Sequence, residues 1–124
     1  MPEGALAGRR VLLVEDEYFI ADELARALQA AGAAVLGPVP SVEAALGLLE
    51  REATDAAVLD VNLGGDIAIP VADALAARGV PFLFTTGYDQ AVLPERHAAV
   101  RRLEKPVEMS RIVRELERLS NAAA

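Results

Sequence analysis

The sequence predicts an α/β fold in which parallel strands alternate with helices through right-handed crossovers. Short runs of valine and leucine recur along the chain, and amphipathic helical patterns lie between them. With 124 residues, 53% of them hydrophobic and 25% charged, the chain is long enough for one globular domain with its own core. We therefore expect a single domain over 1–124, with a core at about 9–120 and frayed residues outside it.

Four apolar runs predict the main strands. They are RRVLLVE (9–15), AAVLGPV (33–39), DAAVLDV (55–61) and VPFLFTT (80–86). Runs this apolar are typical of strands that are buried on both faces of a parallel sheet. A weaker fifth strand is expected around Val100 to Leu103.

Four stretches have helical patterns: residues 18–31, 41–51, 70–78 and the region of 112–119. Gly32 marks the end of the first helix, Ser41 can cap the second, and Pro70 suits the first turn of the third. Between the fourth and fifth strands a helix can begin only near Pro94, so we expect it to be short or irregular.

Composition excludes several classes of function. The chain has no cysteine and one histidine, which rules out disulfides, thiolate chemistry and a histidine-rich metal centre. A net charge of −7 argues against nucleic acid as a direct partner. No apolar run approaches membrane-spanning length, and MPEGALAGRR lacks the apolar core of a signal peptide. We expect a cytoplasmic protein with no membrane partner.

The predicted strands end in polar residues, and the carboxyl edge of a parallel sheet is where binding sites form. The strand ends are Glu15-Asp16-Glu17, Asp60, Thr85-Thr86-Gly87 and Glu104-Lys105-Pro106. Lys105 is the one lysine in the chain, beside eleven arginines. The sequence therefore predicts that carboxylates, a hydroxyl and a single ammonium group converge on one edge of the sheet.

Each of these residues also has a purely structural interpretation. Glu17 can cap the next helix, Asp60 can belong to a turn before Gly64-Gly65, and Lys105 can be a solvated charge. Thr86-Gly87 can likewise be only a turn. A shared site explains all four strand ends at once, whereas the structural interpretation needs four coincidences at one edge.

The segments LLVEDE, VLD, FTTG and KP, in this order and spacing, resemble the receiver domain of bacterial two-component response regulators. The resemblance covers nearly the whole chain, and FLFTTGY is similar to a subgroup of single-domain receivers with a Phe-x-Thr-Gly-Tyr signature. It implies a flavodoxin-like, doubly wound sheet of five parallel strands in the order 2-1-3-4-5.

The resemblance also implies a role for each residue at the strand ends. Asp60 would be the phosphoacceptor, and Lys105 would contact the phosphoryl oxygens. Mg²⁺, or alternatively Mn²⁺, would be bound by Glu15, Asp16, Asp60 and the backbone carbonyl of Asn62. Thr86 would be the switch hydroxyl that moves toward the phosphoryl group.

Several neighbouring positions bear on this switch. Thr85 competes with Thr86 for the hydroxyl role, but the Thr-Gly pairing with Gly87 favours Thr86. In the family the bond between Lys105 and Pro106 is usually cis. Many receivers have an aromatic residue three positions before the lysine, where this chain has Arg102. Tyr88 would either cover the pocket, which we favour, or take part of that aromatic role.

We therefore expect a phosphoacceptor rather than a conventional enzyme. Its partners would be a histidine kinase or histidine phosphotransfer protein and a downstream protein target, with the chain a monomer or weak dimer. The chain ends after its last helix, which favours a stand-alone receiver; a fragment of a hybrid histidine kinase or larger response regulator is the alternative. Asn62 disfavours a haloacid-dehalogenase-type phosphatase, and EDEY after the first strand disfavours a flavodoxin. We expect the sole histidine, His97, to be solvated.

Overall fold

The computed structural model describes residues 4–87 and 93–123. Strands and helices alternate along the chain in the order β1 (Arg10–Val14), α1 (Tyr18–Ala30), β2 (Ala34–Val39), α2 (Val42–Arg51), β3 (Ala56–Asp60), β4 (Asn62–Leu63), β5 (Asp66–Ile67), α3 (Ile69–Ala77), β6 (Phe82–Thr86), a 3₁₀ turn (Glu95–His97), β7 (Arg102–Glu104) and α4 (Met109–Ala123). None of the helices in this described part is both long and apolar enough to cross a membrane.

The main sheet is parallel and has the order β2-β1-β3-β6-β7. The short strands β4 and β5 form a separate antiparallel hairpin, so the five long strands have the order 2-1-3-4-5 that the family resemblance implied. Helices cover both faces, with α1 and α4 packed on one and α2 and α3 on the other. The predicted fold is confirmed.

Burial differs between the central and the edge strands. All residues of β3 and β6 are buried, as are the last four of β1, so the prediction that these strands are buried on both faces is correct. Strand β2 has only exposed and half-buried residues, because it has a neighbour on one side alone. For β2 the prediction of full burial is wrong.

The helix ends follow the predicted signals. Ser41 caps α2, and its Oγ accepts a hydrogen bond from the Ala44 backbone nitrogen at 3.1 Å. Gly32 follows α1 with φ +99°, a left-handed conformation that favours glycine. Pro70 lies in the first turn of α3. In the described part of the crossover from β6 to β7, residues 93–101, the helical structure is the 3₁₀ turn at Glu95–His97, which agrees with the expected short or irregular helix.

The chain before β1 covers one end of the core, although we expected the first eight residues to be frayed. Leu6 is fully buried among residues of α1 and α4, and its backbone nitrogen donates to the Ala31 carbonyl oxygen at 2.9 Å. A Cβ on Gly4 would collide with the same oxygen, so only glycine fits this approach. At these positions the expectation is wrong, and α4 likewise extends to Ala123.

Candidate functional site

The carboxyl ends of β1, β3 and β7 bring three charged side chains together. Lys105 Nζ donates to Glu15 Oε1 at 3.0 Å and to Asp60 Oδ2 at 3.1 Å. Glu15 and Asp60 are buried, with 4% and 5% of their surface exposed. The lone lysine is therefore not a solvated charge: it joins two buried carboxylates that come from different strands.

Burial and the contact between Lys105 and the two carboxylates have opposite effects on the pKa values of Glu15 and Lys105. Burial raises the pKa of Glu15 to about 7, and the nearby Asp60 adds to the rise while the hydrogen bond from Lys105 opposes it. Burial lowers the pKa of Lys105, but its hydrogen bonds to Glu15 and Asp60 outweigh that effect and leave the pKa raised. The ammonium therefore stays charged, whereas the proton on Glu15 is lost near neutral pH.

Glu15, Asp16 and Asp60 form an acidic cluster suited to a divalent cation. One carboxylate oxygen from each lies within 4.8 Å of the others, and Asp16 is exposed to solvent. Mg²⁺ prefers hard oxygen ligands, needs few from the protein and keeps several waters. An oxygen-only set with one exposed member fits such an ion.

The β4–β5 hairpin forms one wall of this cluster. The Asn62 backbone nitrogen donates to Asp60 Oδ1 at 3.2 Å, and Asn62 Oδ1 accepts from the Gly65 nitrogen at 2.9 Å. Gly64 has φ +62°, and a Cβ there would lie 3.4 Å from Asp16 Oδ2. The two glycines thus let the hairpin turn close to the acidic residues. The Gly64-Gly65 pair signalled a turn in the sequence, but nothing there predicted the hairpin.

Two cavities meet at this edge of the sheet. The acidic pocket, of about 370 Å³, is lined by Asp16, Asp60, Asn62, Gly64, Gly65, Gly87 and Lys105. A larger apolar groove of about 750 Å³ lies between α1 and the start of α4, and Gly87 and Lys105 line it as well. Gly87 is therefore placed at the boundary between the two.

The two threonines at the end of β6 face different surroundings. Thr85 pairs with Asp60 across the sheet and lines the apolar groove. Thr86 lies on the face of β6 that also carries Phe82 and Phe84. Its carbonyl oxygen accepts a hydrogen bond from the Lys105 backbone nitrogen at 2.7 Å. Both threonine side chains are buried. As strand alternation predicted, the side chains of Thr85 and Thr86 lie on opposite faces of β6.

The remaining predicted residues lie around this edge. The Lys105–Pro106 peptide bond is cis, as the resemblance implied. Arg102 is exposed on β7, opposite Phe84 of β6. Tyr88 lies outside the described residues, so its expected role as a pocket cover stays a prediction.

The sole histidine is not where the sequence analysis placed it. His97 is 3% exposed and packs against the rings of Phe82 and Phe84, with centroids 6.0 and 6.3 Å away. Its Nε2 lies 2.7 Å from Asp73 Oδ1 on α3. The expectation of a solvated side chain is wrong, because its partner is 24 positions away in sequence and no local pattern connects the two.

The family model for the response regulator receiver domain matches residues 11–117. The chain belongs to this family. Receiver domains are signalling domains of two-component systems that bind Mg²⁺ through an acidic pocket, and Glu15, Asp16 and Asp60 are this receiver's acidic cluster.

Two curated relatives have similar sequences. The receiver is 30% identical to the transcriptional regulatory protein PdtaR of Mycobacterium tuberculosis over 117 residues, which cover 91% of this chain and 57% of that protein. It is 32% identical to the sensory transduction protein LytT of Bacillus anthracis over 113 residues, which cover 88% of this chain and 46% of that protein. The receiver thus spans about half the length of these relatives.

Solved structures give the same assignment. The solution structure of SdrG from Sphingomonas melonis Fr1 matches with a TM-score of 0.76 and 39% identity over 97% of both chains. A CheY-like receiver domain protein from Methanospirillum hungatei JF-1 matches with a TM-score of 0.80 over 93% of this chain and 95% of that one. Its 22% identity makes this second likeness one of fold alone.

Proposed function

We propose that this receiver accepts a phosphoryl group on Asp60 from a histidine kinase or histidine phosphotransfer protein, and then signals by binding a downstream protein. The observation that carries the proposal is the 3.1 Å contact between Lys105 and the buried Asp60 inside an acidic cluster. A structural role does not require a lysine and three clustered carboxylates at one sheet edge, whereas phosphoryl transfer needs a nucleophile and cations together.

In the proposed reaction a carboxylate oxygen of Asp60 attacks the phosphorus of a phosphohistidine. A bond forms between that oxygen and phosphorus, the bond from phosphorus to the histidine nitrogen breaks, and the nitrogen keeps the electron pair. The product is an acyl phosphate on Asp60. Lys105, already in contact with Asp60, would donate to the phosphoryl oxygens, where negative charge is concentrated.

Glu15, Asp16, Asp60 and the Asn62 carbonyl would hold Mg²⁺, with Mn²⁺ as a substitute of similar ligand preference. The bound ion would supply neutralisation of charge on the phosphoryl group. Without a cation the clustered carboxylates repel an incoming phosphoryl group, and the single ammonium of Lys105 offsets that repulsion only in part.

Thr86 would then act as the switch. Its carbonyl oxygen already accepts a hydrogen bond from the Lys105 backbone nitrogen at 2.7 Å, so the strand that carries the threonine is coupled to the loop that carries the lysine. Movement of the Thr86 hydroxyl toward a phosphoryl group would displace the chain that follows Gly87.

Two observations bear on whether the receiver acts alone. The match to SdrG, over 97% of both chains, supports a single-domain receiver. Membership of the Phe-x-Thr-Gly-Tyr subgroup is proposed on the sequence FLFTTGY alone. The partial coverage of PdtaR and LytT supports the alternative, a receiver that belongs to a larger regulator or hybrid kinase. In either case we propose a cytoplasmic protein that is a monomer or weak dimer.

Phosphorylation measured by intact mass after incubation with acetyl phosphate or a phosphorylated kinase tests the proposal. We expect one added phosphoryl group in the wild type with Mg²⁺, and none with a chelator or in Asp60→Asn. Asp66→Asn, which removes an exposed carboxylate from the neighbouring hairpin, is the matched control and should be labelled normally. Labelling of Asp60→Asn, or labelling indifferent to chelator, would overturn the assignment.

A further inference from the structure

Residues 93–98, between β6 and β7, are joined to α3 through one carboxylate. Asp73 of α3 accepts two hydrogen bonds from Arg96, with Nε to Oδ1 and Nη2 to Oδ2 both at 2.9 Å. The same Oδ1 lies 2.7 Å from His97 Nε2. We call these three residues, Asp73, Arg96 and His97, the latch. It joins two elements that are separated by more than twenty positions in sequence.

The carboxylate of Asp73 is the charged centre of the latch. The hydrogen bond from Arg96, and secondly that from His97, lower the pKa of Asp73 to about 2. An ionised carboxylate only accepts hydrogen bonds, so His97 Nε2 carries the hydrogen and donates it. The latch is thus a bidentate guanidinium–carboxylate pair with an added imidazole donor, which is a strong and directional arrangement.

Apart from the latch, what holds residues 93–98 is the packing of Leu93, His97 and the adjoining Val100 against the core. Within the described residues 93–100, the local backbone hydrogen bonds are those of a single 3₁₀ turn, from His97 to Pro94, Ala98 to Glu95 and Val100 to His97. One turn cannot persist without outside contacts. Among the described residues, the hydrogen bonds that join residues 93–98 to another element go to Asp73.

The latch also contacts the strand that carries the proposed switch. The buried imidazole of His97 packs edge-on against Phe82 and Phe84, which share a face of β6 with Thr86. In this arrangement Thr86 is not among the residues that line the acidic pocket, and Lys105 contacts Asp60 directly. Movement of Thr86 toward a phosphoryl group would shift the β6 end and its following segment relative to α3, and so stretch the latch.

We propose that Asp73 is a positioning residue of the switch, and that the latch holds residues 93–98 in the resting arrangement against the pull of Thr86. This inference rests on the proposed phosphoacceptor function. The latch lowers the affinity for a phosphoryl group at Asp60, because binding must first weaken it, and its strength sets how much phosphorylation is needed for the switch. Coupling of this kind between sites is typically at least fivefold in affinity.

Beryllofluoride, which adds to the aspartate as a phosphoryl analogue, is the probe. We expect Asp73→Ala to bind beryllofluoride with Mg²⁺ roughly fivefold more tightly than the wild type in calorimetric titration. Arg96→Gln, which keeps the His97 bond, should give a smaller gain. Glu52→Ala is the matched control, since it removes an ion pair of similar exposure with Arg10, which lies at the amino end of β1 and away from the carboxyl edge of the sheet. It should leave the affinity unchanged.

Hydrogen exchange separates positioning from loss of fold. In Asp73→Ala the amides of His97, Ala98 and Val100 should exchange faster before beryllofluoride is added, while those of β1 and β3 keep their protection. Arg96 is more than half exposed, so its variant is expected to fold whatever Asp73→Ala does. If the wild type binds beryllofluoride and both latch variants bind it no more tightly than the wild type, the latch proposal is overturned and the proposed function stands. Failure of the wild type to bind would overturn the proposed function, and the latch with it.

Discussion

Lys105 Nζ lies 3.1 Å from Asp60 Oδ2, a contact between residues 45 positions apart in the sequence. The same ammonium contacts Glu15 at 3.0 Å, so one cation is shared by two buried carboxylates. An ammonium is compact and places its hydrogens in several directions, whereas a guanidinium is planar and favours a two-pronged contact. This explains why a chain with eleven arginines has its one lysine here.

Lys105→Ala is expected to weaken beryllofluoride binding at least tenfold, because a hydrogen bond to a charged group contributes about 1.5–3 kcal/mol. Lys105→Arg should recover only part of the loss, since the guanidinium does not fit between the two carboxylates. Calorimetric titration in Mg²⁺ measures both effects. Arg102→Ala, which removes an exposed cation from the adjoining strand, serves as the control. Full recovery by arginine would mean that the position requires only positive charge.

Glu15→Gln is expected to stabilise the protein at alkaline pH in the absence of divalent cations. Glu15 has a pKa of about 7 in the folded chain against its ordinary 4.5, so the folded state holds this proton more tightly than the unfolded state does. The free energy of unfolding that Glu15 contributes therefore falls as pH rises from about 4.5 to about 7. Above about pH 7 the ionised Glu15 destabilises the folded state by the full amount. Since the side chain is buried, the shift corresponds to a cost on the order of 3 kcal/mol.

Urea unfolding of both proteins at pH 4 and pH 8 measures this difference. The free energy of unfolding of Glu15→Gln should exceed that of the wild type at pH 8 and nearly equal it at pH 4. Comparing the two proteins at each pH cancels the titration of the other carboxylates. An equal gain at both values would show that the glutamine acts through packing and not through charge.

Much of the fold could be predicted because its signals are local. The apolar runs of β1, β3 and β6 mark strands without reference to their partners, and Ser41 and Gly32 mark helix ends from neighbouring residues alone. The β4–β5 hairpin was missed because two-residue strands carry no periodicity. Burial of Leu6 depends on contacts with the end of α1, and nothing near Leu6 in the sequence indicates them.

The candidate site also divides into residues that local signals could place and residues that only long-range contacts place. Glu15, Asp60 and Lys105 could be placed together because parallel strands bring their carboxyl ends to one edge, whatever the detail of packing. His97 could not, because its surroundings are set by Asp73, on a different element. Long-range side-chain pairs of that kind have no sequence period to reveal them.

Thr86→Val should separate binding of the phosphoryl analogue from its effect on the following segment. The two side chains have nearly the same shape, but valine has no hydroxyl to donate. With Mg²⁺ and beryllofluoride, the wild type should show altered hydrogen exchange at the amides of residues 97–100, and Thr86→Val should not. Thr85→Val, in the neighbouring threonine that faces the apolar groove, is the control and should respond as the wild type does. The reverse pattern would assign the switch to Thr85.

Leu6→Ala tests whether the chain before β1 is part of the core. Leu6 is fully buried in the cluster formed with α1 and α4, and its backbone is bonded to Ala31. Truncation should lower the free energy of unfolding by about 2–5 kcal/mol, because it leaves a cavity that the surroundings fill only in part. Phe19→Ala, at a side chain that is 79% exposed, is the control and should change it by less than about 0.5 kcal/mol. Chemical denaturation with a single probe for all three proteins provides the comparison. A frayed N-terminus, as the sequence suggested, would give Leu6→Ala the same small effect as the control.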